Sequence, residues 1–131
     1  MNNLLFVYGS LLDEDNKYGL YLRANSKFFS AAKVRGKLYD IGEYPGAVLS
    51  PDDDEYVHGT IFRLNDPVSV LPIIDLYEGF GADQPKPNEF IRIQALAEAE
   101  NGTPTCWVYI YNLPVNGLPV IGEGRYSRSP L

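Results

Sequence analysis

The stretch Leu4-Leu5-Phe6-Val7-Tyr8-Gly9-Ser10-Leu11 constrains this chain more than any other, because an unbroken apolar run stops abruptly at a Gly-Ser turn. Four consecutive apolar residues without polar alternation suit a strand covered on both faces, so the pattern predicts a buried strand feeding a tight loop. Gly9 permits backbone angles that a Cβ would forbid. Two readings of the turn stand side by side. It is either plain punctuation between strand and loop, or a set of turned N–H groups over Tyr8, Gly9, Ser10 and Leu11 forming a concavity for a carboxylate or a developing oxyanion, with the Ser10 hydroxyl added.

A chain of 131 residues is most simply one domain, 1–131, with room for a real core. A formal charge of −6 leaves no electrostatic footprint for phosphate backbones or anionic membranes, so neither nucleic acid nor a membrane is expected as a partner. The single cysteine, Cys106, excludes an intrachain disulfide and a multi-cysteine metal site, and a cytoplasmic location fits. No basic region precedes the first apolar run, so no signal peptide or membrane span is expected. A monomer is plausible for a small acidic domain; the sequence leaves the oligomeric state open.

Beyond the turn, Asp13-Glu14-Asp15-Asn16 precedes Tyr18, Tyr21, Leu22 and Phe29 at roughly helical spacing and predicts a short amphipathic helix. A half-buried strand is expected over Ala31–Ile41, then a Tyr44-Pro45-Gly46 loop and Ala47-Val48-Leu49. The acidic run Asp52-Asp53-Asp54-Glu55 reads as a solvated turn, its spacing being unlike an EF-hand. Tyr56–Leu64 predicts a strand with Val57, Gly59 and Ile61 on one face and His58, Thr60 and Phe62 on the other. His58, without a second histidine or a nearby cysteine, reads as structural. Asn65-Asp66-Pro67 is a helix-start signature, but Pro72 interrupts it, so regular helix is expected to begin at Pro72, with Ile73, Ile74 and Tyr77 facing the core and Gly79 as C-cap. Residues 81–89 form a loop, either a lid or a tolerated insertion. Phe90–Ala97 alternates as a strand, and Asn101-Gly102 turns the chain into Thr105–Tyr111 antiparallel to it. There Trp107, Tyr109 and Tyr111 face one way, as pocket lining or as core, while Cys106 faces the other as a buried, inert thiol. The chain after Asn112 reads as loop, with Tyr126 returning to the pocket. These elements predict an α+β fold: a small mixed β-barrel of about six strands with short flanking helices.

Glu78 closes its helix. A carboxylate at a helix C-terminus is disfavoured by the macrodipole, which raises its pKa in a site closed to water and suits a general base; an exposed acid on a last turn is the plainer alternative. The chain resembles the gamma-glutamylcyclotransferase-like (AIG2-like) family in an N-terminal strand ending Tyr8-Gly9-Ser10-Leu11 followed by Asp75-Leu76-Tyr77-Glu78-Gly79. Tyr44-Pro45-Gly46, Val57-His58-Gly59, Phe90-Ile91-Arg92 and Trp107-Val108-Tyr109 extend the resemblance over most of the chain.

The resemblance implies the same fold and makes Glu78 the catalytic acid and base. It implies a cofactor-independent reaction, with no metal, on a small-molecule gamma-glutamyl amide. The substrate's own α-amine attacks its side-chain carbonyl and releases 5-oxoproline and an amine. The backbone from Tyr8 to Leu11 would hold the substrate carboxylate, with Tyr109 and Tyr126 at the pocket. The chain departs from the family at Phe90, where many relatives carry tyrosine, and in the loop before it. Those departures motivate an alternative: a binding or regulatory module that keeps the fold without efficient catalysis.

Overall fold

In a computed structural model describing residues 1–13 and 15–126, β1 (Leu4–Val7) lies inside the sheet, antiparallel to β4 (Tyr56–Leu64) and parallel to β7 (Thr105–Tyr111). That position accounts for its unbroken apolar sequence. Leu5 and Val7 pack into one core cluster with Leu22, Val70, Leu71 and Ile74; Phe6 and Tyr8 pack into a second with Val34, Leu38, Ile61 and Val108. Each face of the strand removes apolar surface from water, worth roughly 1.5–3 kcal/mol per fully buried large side chain.

The remaining strands are β2 (Ser26–Asp40), β3 (Pro45–Leu49), β5 (Phe90–Leu96) and the two-residue β6 (Glu98–Ala99), with helices α1 (Lys17–Ala24) and α2 (Pro67–Glu78). The order along the mixed sheet is β3-β2-β4-β1-β7-β5, with β6 pairing to β2 off that path. Six strands thus curl into a half-barrel flanked by two helices, as the alternation patterns predicted. The curl brings the two ends of the sheet together: the Tyr44 and Phe90 rings lie 5.9 Å apart, and Phe90 meets Tyr111 at 5.5 Å. No helix among the described residues is long and apolar enough to cross a membrane.

The paired faces of β4, β5 and β7 follow the sequence. Val57 and Ile61 enter one cluster and Phe62 the other, and Cys106 lies buried with Val108 opposite Tyr109. The acidic run is a turn between β3 and β4, with Lys37 Nζ 3.9 Å from Asp53 and 3.7 Å from Glu55.

Three local expectations differ. Helix α1 stops at Ala24, and β2 begins at Ser26, because pairing with β4 runs from Ser26↔Leu64 to Arg35↔Tyr56 and draws Phe29 into the strand. Helix α2 runs from Pro67 straight through Pro72. Pro72 is exposed, as is Val68, whose carbonyl it cannot bond, while burial of Val70, Leu71 and Ile74 holds the helix on either side. Ile73 consequently faces outward at 38 % exposure. Gly9 has φ −126° and ψ −142°, and its lack of a side chain also serves close approach, since a Cβ there would sit 3.2 Å from Pro45 Cγ. Glu14 and the last five residues of the expected loop tail lie outside the described residues.

Tyr8 ties three strands together. Its buried hydroxyl donates to the Tyr109 carbonyl at 2.7 Å and accepts from the Ala47 N–H at 3.1 Å. Burial, then the nearby Glu78, hold the phenol well above its ordinary pKa, so it stays protonated and keeps donating. Tyr8→Phe removes the hydroxyl that serves both backbone groups and is expected to cost about 1–3 kcal/mol in urea unfolding. An unchanged midpoint would mean that water replaces it.

Candidate active site

The C-terminal end of β1, the start of β3, the last turn of α2 and the start of β5 surround a cavity of about 280 Å³. Tyr8, Gly9, Ser10, Leu11, Glu78 and Tyr109, six of the seven residues singled out as a site in the sequence, all line it. Tyr126 does not. It packs against the second core cluster, and its hydroxyl lies 3.4 Å from Asp13 Oδ2.

Glu78 is the last residue of α2, and Gly79 follows with φ 72°, a left-handed conformation that glycine takes without strain. The N–H groups of Gly79 and Phe80 turn back onto the carbonyls of Leu76 and Asp75. Helix termination therefore aims Glu78 into the cavity. Its carboxyl makes no hydrogen bond or ion pair with the described residues. Burial first, then the Glu89 and Asp75 carboxylates, push its pKa up to about 8; the negative end of the helix dipole acts in the same direction. It therefore exchanges protons near neutrality.

Facing it, Ser10–Leu12 forms one turn of 3₁₀ helix in which Leu12 and Asp13 donate back to Gly9 and Ser10. The N–H groups of Gly9, Ser10 and Leu11 have no acceptor among the described residues. The Ser10 hydroxyl lies 2.6 Å from the Tyr77 hydroxyl, which accepts from Asn16 Nδ2 at 2.8 Å. The Asn16 amide is oriented by its other end, where Oδ1 caps α1 by accepting from Tyr18 and Gly19. With Asn16 supplying a donor, Tyr77 can direct its own proton to Ser10 Oγ and leave the serine proton for a ligand. This chain of hydrogen bonds is not legible in the sequence; an N-cap asparagine is a local signal, but its second partner is 61 residues away.

Asp75, one turn before Glu78, anchors the helix end. Arg92 donates to both its oxygens, Nε to Oδ1 at 2.8 Å and Nη2 to Oδ2 at 3.2 Å, and the Tyr109 hydroxyl donates to Oδ1 at 2.6 Å. The Arg92 guanidinium lies over the Trp107 ring at 4.4 Å. The aromatic face of β7 thus divides its work: Trp107 carries the cation, and Tyr109 borders the cavity.

A second carboxylate, Glu89, also lines the cavity, and the Tyr44 hydroxyl from the other end of the sheet donates to its Oε2. Burial and this carboxylate raise the Tyr44 pKa. Glu89 was read only as the end of a polar loop. That loop is held by Asn88, which is buried and bonds Gly81 and Pro85. Phe90 fills the wall between Tyr44 and Tyr111. The Cys106 thiol lies outside the cavity lining, and burial pushes its pKa up to about 11, which fits an inert thiol.

The curled mixed sheet with its two flanking helices is the half-barrel fold also seen in AIG2-like proteins. Comparison with known proteins is more specific: the chain belongs to the family described as "Gamma-glutamyl cyclotransferase, AIG2-like", which matches residues 5–128. It is 30 % identical over 129 residues to the gamma-glutamylcyclotransferase family protein YtfP of Escherichia coli K12, covering 93 % of this chain and 94 % of that one. The solution structure of Escherichia coli ytfP superposes with a TM-score of 0.61 at 27 % identity, covering 94 % of this chain and 95 % of that one. The crystal structure of an AIG2-like protein from Mus musculus gives 0.72 at 18 % identity, covering 95 % and 88 %, a likeness of fold.

Proposed function

We propose that this cavity cyclises a gamma-glutamyl amide, releasing 5-oxoproline and the amine. The observation that carries the reading is Glu78: a carboxyl with no partner among the described residues, facing backbone N–H groups that have no acceptor among them, with its pKa pushed up to about 8, so that it can take up and release a proton near neutrality. The substrate α-carboxylate accepts from the N–H groups of Gly9, Ser10 and Leu11 and from Ser10 Oγ. That contact holds the α-ammonium against Glu78.

Glu78 takes one proton from the α-ammonium, and the freed amine attacks the γ-carbonyl carbon, forming the ring C–N bond. Glu78 then returns that proton to the departing nitrogen as the original amide C–N bond breaks. The ring nitrogen sheds its extra proton through Glu78, and the amine leaves as an ammonium ion. Nucleophile and electrophile belong to one molecule, so the gain from orientation is large, and the protein's part is to fix one conformer and move protons.

The test is detection of 5-oxoproline by mass spectrometry from a panel of gamma-glutamyl amides. Because the carboxylate form accepts the first proton, kcat/KM is expected to rise with pH up to about 8, falling only where the substrate ammonium itself titrates. Calorimetric binding of the panel without product from any member would overturn the reaction and favour a binding module.

A further inference from the structure

A second depression, of about 280 Å³, lies on the outer face of the sheet where β2, β4 and β6 meet the C-terminal segment, and it shares no lining residue with the first cavity. Its walls follow from the strand register. Lys33 of β2 stands directly opposite His58 of β4 on one side and Glu98 of β6 on the other, so the three side chains share one face. Ala32 is buried on the opposite face, which turns Ala31 outward as a small floor two positions from Lys33. The Lys33 ammonium leans the other way, 4.1 Å from the centre of the Tyr56 ring, and leaves that floor open. The C-terminal segment supplies the last wall. The Gly124 carbonyl accepts from the His58 N–H at 2.8 Å, and Gly124, with φ 65°, packs so closely that a Cβ would sit 1.8 Å from the Tyr56 carbonyl oxygen. That docking sets Arg125 beside His58. At the β6 end the Glu100 N–H donates to Ser30 Oγ at 3.4 Å, which keeps Glu100 against β2.

Unlike charges border this floor without meeting. Burial first, then the Arg125 and Lys33 cations, hold the His58 imidazole below its ordinary pKa, so both cations act at the β4 side. Among the described residues no ion pair joins Lys33 or Arg125 to Glu98 or Glu100; Glu98 lies 3.8 Å from Arg35 Nε instead, and the Glu100 carboxyl has no partner. We propose that this depression binds the head group of a free α-amino acid, its carboxylate on Arg125 and the His58 imidazole and its ammonium on Glu100. The span fits: β4 and β6 lie two strand spacings apart, roughly 9–10 Å. A molecule whose carboxylate and ammonium share one carbon bridges that distance with one hydrogen bond of about 3 Å at each end. Arg125 brings a planar fork suited to a carboxylate. A lone carboxylate would face Glu98 and Glu100 uncompensated, and a lone amine would face Lys33 and Arg125, so repulsion selects the zwitterion as much as attraction does. The site stands apart from the reaction proposed for the first cavity and does not depend on it.

The experiment follows backbone amide shifts by NMR while L-alanine, propionate or ethylamine is added to the full chain; propionate lacks the ammonium and ethylamine the carboxylate. L-alanine is expected to move the amides of Ala31, Lys33, His58 and Glu100, and to bind there at least about tenfold tighter than either fragment, equivalent to about 1.4 kcal/mol. Arg125 and Glu100 are exposed and make no contact that holds the fold. Arg125→Gln and Glu100→Gln should therefore keep the wild-type spectrum elsewhere, including Gly9, Ser10 and Leu11 at the first cavity, and each should weaken L-alanine at the four amides by about tenfold. No movement of those amides with L-alanine would overturn the proposal. So would propionate binding as tightly as L-alanine, which would make this a plain anion site, or ethylamine doing so, which would make it a cation site. Unchanged L-alanine affinity in either variant would overturn the assignment as well.

Discussion

Glu78→Gln is expected to fold normally and to lose about 10²–10⁴ in kcat, the range for removing a general acid–base group. Glutamine has the same shape but neither accepts nor returns a proton at neutral pH. Since the carboxyl has no partner among the described residues, no native contact is broken. The same variant makes a second, independent prediction about stability. The folded state raises the Glu78 pKa from 4.5 to about 8, so between those values the native protein holds a proton that the unfolded chain releases. Wild type should therefore lose stability as pH climbs through that window, and the loss should be complete above it. Glu78→Gln has no such term. Thermal melts at pH 4 should coincide, whereas at pH 9 the variant should be more stable by about 1–3 kcal/mol, a figure held below the full shift because the residue opens to cavity water. Retained turnover would end the assignment of Glu78 as base. Coincident melts at both pH values would show that its environment is not desolvating.

Asp75→Ala carries the largest expected loss of stability. It removes the acceptor of the Arg92 fork and of the Tyr109 hydroxyl in one step. Arg92 and Asp75 side chains are only 14 % and 17 % exposed, so the guanidinium left on Trp107 would be poorly hydrated and the Tyr109 hydroxyl would lose its partner. Breaking such a pair from one side costs about 2–5 kcal/mol, which urea unfolding would register directly. Activity should fall as well, by at least about tenfold, because the last turn of α2 loses its anchor to β5 and β7 one turn before Glu78. Removing the Asp75 charge also removes one cause of the raised Glu78 pKa, so the rising limb of the pH profile should move to lower pH. Asp75→Asn keeps one oxygen for Tyr109 and should lie between. A full retention of stability in Asp75→Ala would mean that Arg92 and Tyr109 find other partners.

The expectations that held are those whose cause is local. β1 read as covered on both faces because four apolar residues run without alternation, and both faces are packed, Leu5 and Val7 into one cluster and Phe6 into the other. β4, β5 and β7 read correctly because period two assigns faces without knowledge of what covers them. Gly79 read as a C-cap because a left-handed terminus is a property of one residue. The errors have an equally plain cause. Phe29 looked helical by spacing from Leu22, yet the long ladder of β2 with β4 runs past it and leaves it in the strand at a register shift between Phe28 and Ser30. Pro72 looked like a boundary, yet it lies on the solvent face, where losing one hydrogen bond is offset by the burial of Val70, Leu71 and Ile74.

The site divides along the same line. Glu78 and the stretch from Tyr8 to Leu11 were legible because each stands at the end of a regular element, where backbone geometry aims groups outward. Tyr126 does not line the cavity, and the placing of Glu89, Tyr44 and the Asn16–Tyr77–Ser10 chain around it follows only from contacts that join distant segments. The amino-acid sequence by itself determined the strands, the helix end and the residue types available for proton transfer, since hydrophobic period and capping act over a few residues. Only the tertiary structure decided that the two ends of the sheet curl towards each other, that a second carboxylate shares the cavity with Glu78, and that the resulting burial and like charge lift its pKa towards neutrality. Desolvation and charge–charge coupling depend on distance in space, which the order of residues along the chain does not state.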